Sequence, residues 1–136
     1  MTNDQLGKMW EKQLAEMLYR DGFWVHVFKN NQNGQPSDII AVKGGHAYLI
    51  DAKVCSVKGF ALSRIESNQR TAMNLWRQRG NHEPIFGILI PGGHAYMVPL
   101  ATLEDYEERG ASFMNVRTIQ FLGTDYDSWR AKCKLS

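Results

Sequence analysis

The residues best placed to do chemistry are Asp38, Asp51 and Lys53. Two apolar runs, 39–42 and 47–50, flank Gly44-Gly45. A type I′ hairpin turn needs positive φ at both central residues, and Gly-Gly supplies it. With the glycines at the turn, Lys43 faces His46, Val42 faces Ala47, Ile40 faces Leu49 and Asp38 faces Asp51. Opposed residues hold their β-carbons ~4.5–5.5 Å apart, where like charges repel. Lys53, two residues beyond Asp51, leaves the strand on the same face. One sheet face thus carries two carboxylates and an ammonium. A solvated strand edge with an ordinary ion pair is one reading. The apolar neighbours Ile39, Ile40, Leu49 and Ile50 favour another, in which the acids lie at a buried hairpin's end and need a counter-charge. A divalent cation supplies one.

These charges must be positioned by the elements around them. Leu6, Trp10, Leu14, Met17 and Leu18 recur at helical spacing and predict a helix over 6–20, closed by Asp21-Gly22. Residues 23–28 read as a strand, and 30–36 as a polar loop. After a loop at 55–60, Ser63 and Glu66 form a capping-box pattern that opens a helix to about 79, with Gly80 at its end. Residues 85–90 and 95–100 make a second apolar pair around Gly92-Gly93. The pentapeptide Gly-Gly-His-Ala-Tyr occurs at 44–48 and 92–96, which convergent turn chemistry explains. A short acidic helix over 102–109, an edge strand over 116–121 and a last helix over 125–134 complete the chain. The order predicts an α/β fold in one domain, 1–136. Two helices bring polar groups toward apolar stripes. Gln69 shares a face with Ile65, Ala72 and Met73, and Glu11 borders the stripe of Leu14 and Leu18.

Composition bounds the function. The chain has 136 residues, 43% hydrophobic and 22% charged, the balance of a globular domain rather than a disordered one. No apolar run approaches the ~20 residues of a membrane span. The polar start, 1–8, lacks a signal-peptide core, and Cys55 and Cys133 stand far apart, so the expected setting is reducing and cytoplasmic. His26, His46, His82 and His94 lack metal-ligand spacing, and no P-loop or dinucleotide fingerprint is present. The net charge is only +2. Between Lys53 and Arg79, however, Lys53, Lys58, Arg64, Arg70, Arg77 and Arg79 face one acid, Glu66. Such a block suits a polyanion, with Lys58, Arg64 and Arg70 as candidate phosphate contacts. Arg77 and Arg79 equally fit a solvated helix face. The acids Glu104, Asp105, Glu107 and Glu108 are expected to face away from DNA.

Pro36-Ser37-Asp38 followed by Asp51-Ala52-Lys53, 13 residues from acid to acid, resembles the PD-(D/E)XK nuclease signature. Gly7-x3-Glu11, Phe60-x-Leu62 and Gln69 extend the likeness over about 7–100, toward the RecU type of Holliday-junction resolvase. The central acid is Asp51 where Glu is commoner. The long insertion of RecU enzymes is replaced by a compact polar loop at 30–35, as a shortened, phage-type form would have. The resemblance implies a restriction-endonuclease-like core, a central mixed β-sheet flanked by helices, and a metal-dependent endonuclease acting on branched or duplex DNA as a homodimer. It implies Mg²⁺ or Mn²⁺ held by Asp38, Asp51 and the Ala52 carbonyl, with Glu11 completing the shell directly or through water. Lys53 would stabilise developing charge, and Gln69 would position the nucleophile or a phosphate oxygen. Alternatives are a restriction-like or flap and repair nuclease, or a DNA-structure-binding module without catalysis.

Overall fold

A computed structural model of the chain describes residues 1–29 and 37–133. The loop expected at 30–36, Pro36 of the motif, and the predicted end of the last helix at 134 lie outside the described residues.

Helix α1 (Asn3–Arg20) begins earlier than apolar spacing alone predicts, because Thr2 and Gln5 form a reciprocal capping box. Strand β1 (Trp24–Val27) follows, then β2 (Ile39–Lys43) and β3 (His46–Val54). The predicted hairpin register holds: Lys43 pairs with His46, Val42 with Ala47 and Ile40 with Leu49. Gly44 and Gly45 both take positive φ, +59° and +81°, as the turn demands. Beyond the hairpin come a short β4 (Phe60–Ala61), a 3₁₀ turn (Leu62–Arg64), α2 (Ser67–Gln78), β5 (Ile85–Leu89), β6 (Ala95–Pro99), α3 (Leu100–Glu108), β7 (Phe113–Met114), α4 (Val116–Leu122), β8 (Thr124–Asp125) and α5 (Tyr126–Cys133).

Among the described residues, six strands form one mixed sheet in the order β1-β2-β3-β5-β6-β8, while β4 and β7 pair separately, and only β3 and β5 run parallel, with α2 in the crossover between them. Each sheet face is closed by helices. On one, Trp10, Leu14 and Leu18 of α1 pack with Ile39, Ile50 and Met97, joined by Tyr126 and Cys133 of α5. On the other, Met73 of α2, Leu103 of α3 and Ile119 of α4 pack with Phe86, Ile88 and Val98. Trp10 locks α1 to the sheet by donating its indole N–H to the Gly87 carbonyl at 2.9 Å. A Cβ at Gly87 would stand 2.8 Å from Leu14 Cδ2, so any larger residue there would have to displace that core side chain.

Two expected elements differ. The capping box at Ser63 and Glu66 does not form: Ser63 lies in the 3₁₀ turn and Glu66 is itself the extended N-cap of α2, without a side-chain cap bond. Leu62 N–H donates to the Ser112 carbonyl and Arg64 Nη1 to the Val54 carbonyl, holding this stretch against neighbouring elements so that α2 starts a turn later. Residues 116–121 are helical rather than an edge strand. Asn115 caps them, accepting from Thr118 N–H at 2.8 Å, and the turn buries Ile119 while leaving Phe121 86% exposed. The β-branched residues there suggest a strand; the Asn cap overrides them.

Candidate metal and nucleic-acid site

Asp51 sits mid-sheet on β3 and is 2% exposed. Its Oδ1 accepts from Gln69 Nε2 at 2.8 Å. Its Oδ2 lies 3.2 Å from Lys53 Nζ, close enough for an ion pair yet not aligned as a hydrogen bond, so this buried oxygen has no hydrogen-bond donor. Burying an ionised carboxylate without full hydrogen bonding is costly. Burial, reinforced by the Asp38 charge and only partly relieved by Lys53, pushes the Asp51 carboxyl up to about 7.

Asp38 lies just past the last paired position of β2, where Ile39 meets Ile50. Instead of continuing the ladder, its Oδ2 accepts from the Ala52 N–H at 2.8 Å. This bond secures one carboxylate against the backbone beside the other. Ser37, 1% exposed, steadies the approach by donating to the Ile39 carbonyl at 3.0 Å. Parity along β3 sends Asp51 and Lys53 to the face that α2 covers, and Gln69 meets Asp51 there. Gln69 is 8% exposed among apolar residues, so its polar head is in the core for the sake of that carboxylate.

Glu11 approaches from α1. Burial and the neighbouring Asp38 raise its pKa, against a lowering by Lys8. Among the described residues no three His, Cys, Asp or Glu side chains gather as a ready-made metal cluster. Glu11 lines the same cleft as Asp38, near enough for the Asp38 charge to act on it.

Asp38, Glu11, Ala52 and Lys53 open onto a cleft of about 1010 Å³. Its walls include the start of α1 with Gly7 and Lys8, the loop after β3 with Ser56 and Gly59, and Arg64. Arg64 lies over the Phe60 ring, 5.0 Å from its centroid, with its charge on the cleft side. Lys58 is exposed on the same loop, its N–H donating to Ser56 Oγ.

Arg70, a candidate phosphate contact from the sequence, makes a bidentate pair with Glu107 at 2.8 and 3.0 Å. Arg77 likewise bridges Glu83 and Glu104 at 2.7 and 2.9 Å. The acids of α3 thus neutralise the arginines of α2, and the basic surface at the cleft reduces to Lys8, Lys53, Lys58 and Arg64. Sequence reasoning passed over Lys8, whose position three residues before Glu11 places it on the same helix face.

The Asp51–Gln69 contact makes its own prediction. Gln69→Leu leaves Asp51 with neither oxygen hydrogen-bonded, which disfavours its ionised form further. Any activity that needs ionised Asp51 is expected to fall at least ~10-fold, equal to ~1.4 kcal/mol of barrier. The acid limb of its pH profile moves to higher pH, with circular dichroism unchanged. A loss of stability with turnover and profile intact would make Gln69 purely structural.

No helix among the described residues is long and apolar enough to cross a membrane. No family model and no curated protein matches the sequence. The fold does match a solved structure, the Holliday junction resolvase Hjc of the archaeal hyperthermophile Archaeoglobus fulgidus, with a TM-score of 0.70 and 20% identity over 91% of this chain and 99% of that one. The chain therefore has the resolvase-type, restriction-endonuclease-like α/β fold, and the fold carries its Asp38–Asp51–Lys53 centre beside an open cleft.

Proposed function

We propose that the chain is a single-domain, divalent-metal-dependent endonuclease of branched DNA, with the four-way junction as preferred substrate, working as a homodimer in the cytoplasm. The observation that carries this reading is the buried Asp51 oxygen without a donor, beside a second carboxylate, Asp38, which lines a cleft edged by Lys8, Lys53 and Arg64. The fold likeness to a resolvase supports it.

The donor set fits a hard cation: two carboxylates, one of them short of partners, with a backbone carbonyl between them and an ammonium. Asp38, Asp51 and the Ala52 carbonyl would hold Mg²⁺ or Mn²⁺, with Glu11 completing the shell directly or through water. When bound, the ion supplies Lewis-acid charge at the scissile phosphate and lowers the pKa of a nearby water. Lys53, only 19% exposed in its side chain, places its ammonium where negative charge develops on the phosphoryl oxygens. Gln69 holds Asp51 Oδ1 and so leaves Oδ2, the oxygen beside Lys53, for the ion; an amide takes up no proton at neutral pH, so it is not a base. Arg64 and Lys58 hold the flanking phosphates.

Two opposed strands of a junction need two equivalent sites, and a two-fold dimer provides them. The test is sedimentation of the free protein combined with cut mapping on four-way, flap and linear duplex DNA of matched arm length. A dimer placing symmetric nicks near the branch point is expected. A monomer that cuts all three equally would leave a nuclease and remove the junction reading.

A further inference from the structure

Helix α1 turns two rows of side chains toward β1. One row, at i, i+4 spacing, is Lys8, Lys12, Glu16 and Arg20; the adjacent row is Glu11, Ala15 and Tyr19. Because Ala15 is small, the second row sinks between Glu11 and Tyr19. The sheet supplies the opposite wall through Val25, Val27 and Phe28. The result is a groove of about 740 Å³, within the ~300–1,000 Å³ of small-ligand pockets. It runs directly into the metal-site cleft, because Lys8, Glu11 and Asp38 border both. The Phe28 N–H also donates to the Asp38 carbonyl at 2.9 Å, so the groove's aromatic end and the candidate metal ligand are fixed to each other.

The groove's chemistry is divided. Its floor is apolar, with Phe28 at the end near Asp38 and Tyr19, 73% exposed, at the other. Its outer rim carries three cations, Lys8, Lys12 and Arg20, with Glu16 among them as an acceptor for exocyclic amines. A ring-sized apolar slot under a cationic rim matches a nucleotide: base below, phosphates above. Paired bases are stacked and offer no free face to such a floor, whereas an unpaired one does. We infer that the α1–β1 groove is a subsite for an unpaired nucleotide of the strand being cut, next to the scissile phosphate, one that a four-way junction supplies when a base pair opens at its branch point. This deepens the nuclease reading and rests on it for the direction in which the strand runs.

Binding without metal separates the two. Oligonucleotides carrying one 2-aminopurine, either unpaired at a branch or fully paired, are titrated with the protein in EDTA. Wild type is expected to bind the unpaired probe at least ~10-fold more tightly and to change its emission on stacking. Tyr19→Ala, at an exposed position, and Ala15→Leu, which fills the groove, should each remove most of that preference while retaining wild-type affinity for the paired duplex. With Mg²⁺, an abasic scan of the cut strand should find one position beside the cleavage point where loss of the base costs ~10-fold in kcat/KM, a penalty absent in Tyr19→Ala. Equal binding of paired and unpaired probes by wild type overturns the subsite, as does a preference undiminished in both variants. Unpaired-probe binding that behaves as expected in a protein cutting no DNA would uphold the groove and defeat the nuclease reading instead.

Discussion

Asp51→Asn is expected to bind DNA within an order of magnitude of wild type, to cut it roughly 10³-fold more slowly, and, without metal, to melt higher than wild type at pH 8. The first two results follow from charge. The substitution removes a carboxylate proposed to hold the metal but keeps the volume, and the proposed phosphate contacts at Arg64, Lys58 and Lys8 are untouched. A 10³-fold loss corresponds to ~4 kcal/mol, the several kcal/mol that a cation's charge stabilisation supplies. The third result follows from geometry. An Asn at 51 still accepts from Gln69 Nε2 through its oxygen, and its NH₂ offers a donor to the Asp38 carboxylate in place of like-charge repulsion. It mimics the protonated Asp51 permanently. Differential scanning fluorimetry in EDTA at pH 4 and pH 8 checks this: a gain is expected at pH 8 and little change at pH 4. A less stable variant at pH 8 would mean that Lys53 compensates the Asp51 charge more fully than its 3.2 Å contact implies.

The same carboxyl sets a pH dependence of comparable size. In the unfolded chain Asp51 titrates near 3.8, and in the fold at about 7. The folded protein therefore binds the extra proton between these values. Its stabilising effect is complete below about pH 4. Stability from this group then falls as pH rises and levels off above about 7, once folded Asp51 is ionised. Each pH unit within the interval is worth up to ~1.4 kcal/mol, so the metal-free protein loses a few kcal/mol across it. Divalent-cation affinity runs the opposite way, because the ion must displace the proton: it strengthens by up to ~10-fold per pH unit and saturates above about pH 7. Calorimetric Mg²⁺ titrations in buffers of different ionisation enthalpy, at pH 6 and pH 8, read the proton release. Release at pH 6 and almost none at pH 8 is the expected pattern; identical uptake at both would remove Asp51 from the metal site.

How far the sequence discloses this centre depends on the range of the interactions involved. The hairpin is legible because Gly44-Gly45 fixes its register locally, and strand parity then carries Lys53 to the face of Asp51. The exact place of Asp38 is less so: opposition to Asp51 is implied, but Asp38 leaves the ladder to accept from the Ala52 N–H. Gln69 is legible as an intrusion on an apolar stripe, though not its partner. The partner of Arg70 is not legible, since it is Glu107, 37 residues away, and no local pattern reveals such a pair. The Ser63 cap and the 116–121 segment fail for opposite reasons. Tertiary bonds from Leu62 and Arg64 override a plausible cap in the first, and a real cap at Asn115 prevails over the β-branched residues that suggest a strand in the second. The groove between α1 and β1 exists only once Ala15 is packed against Val25 and Val27, so nothing in the helix alone announces it.

The most direct measurement of the central claim is cleavage of a fixed four-way DNA junction by wild type and by Asp38→Asn, followed while Mg²⁺ is titrated from EDTA-chelated zero. A metal-dependent centre at Asp38 and Asp51 predicts no cutting in EDTA, saturable activation of wild type by Mg²⁺ and by Mn²⁺, and a flat, near-background response of Asp38→Asn at every metal concentration. Metal-independent cutting by wild type, or full Mg²⁺-activated cutting by Asp38→Asn, would contradict it.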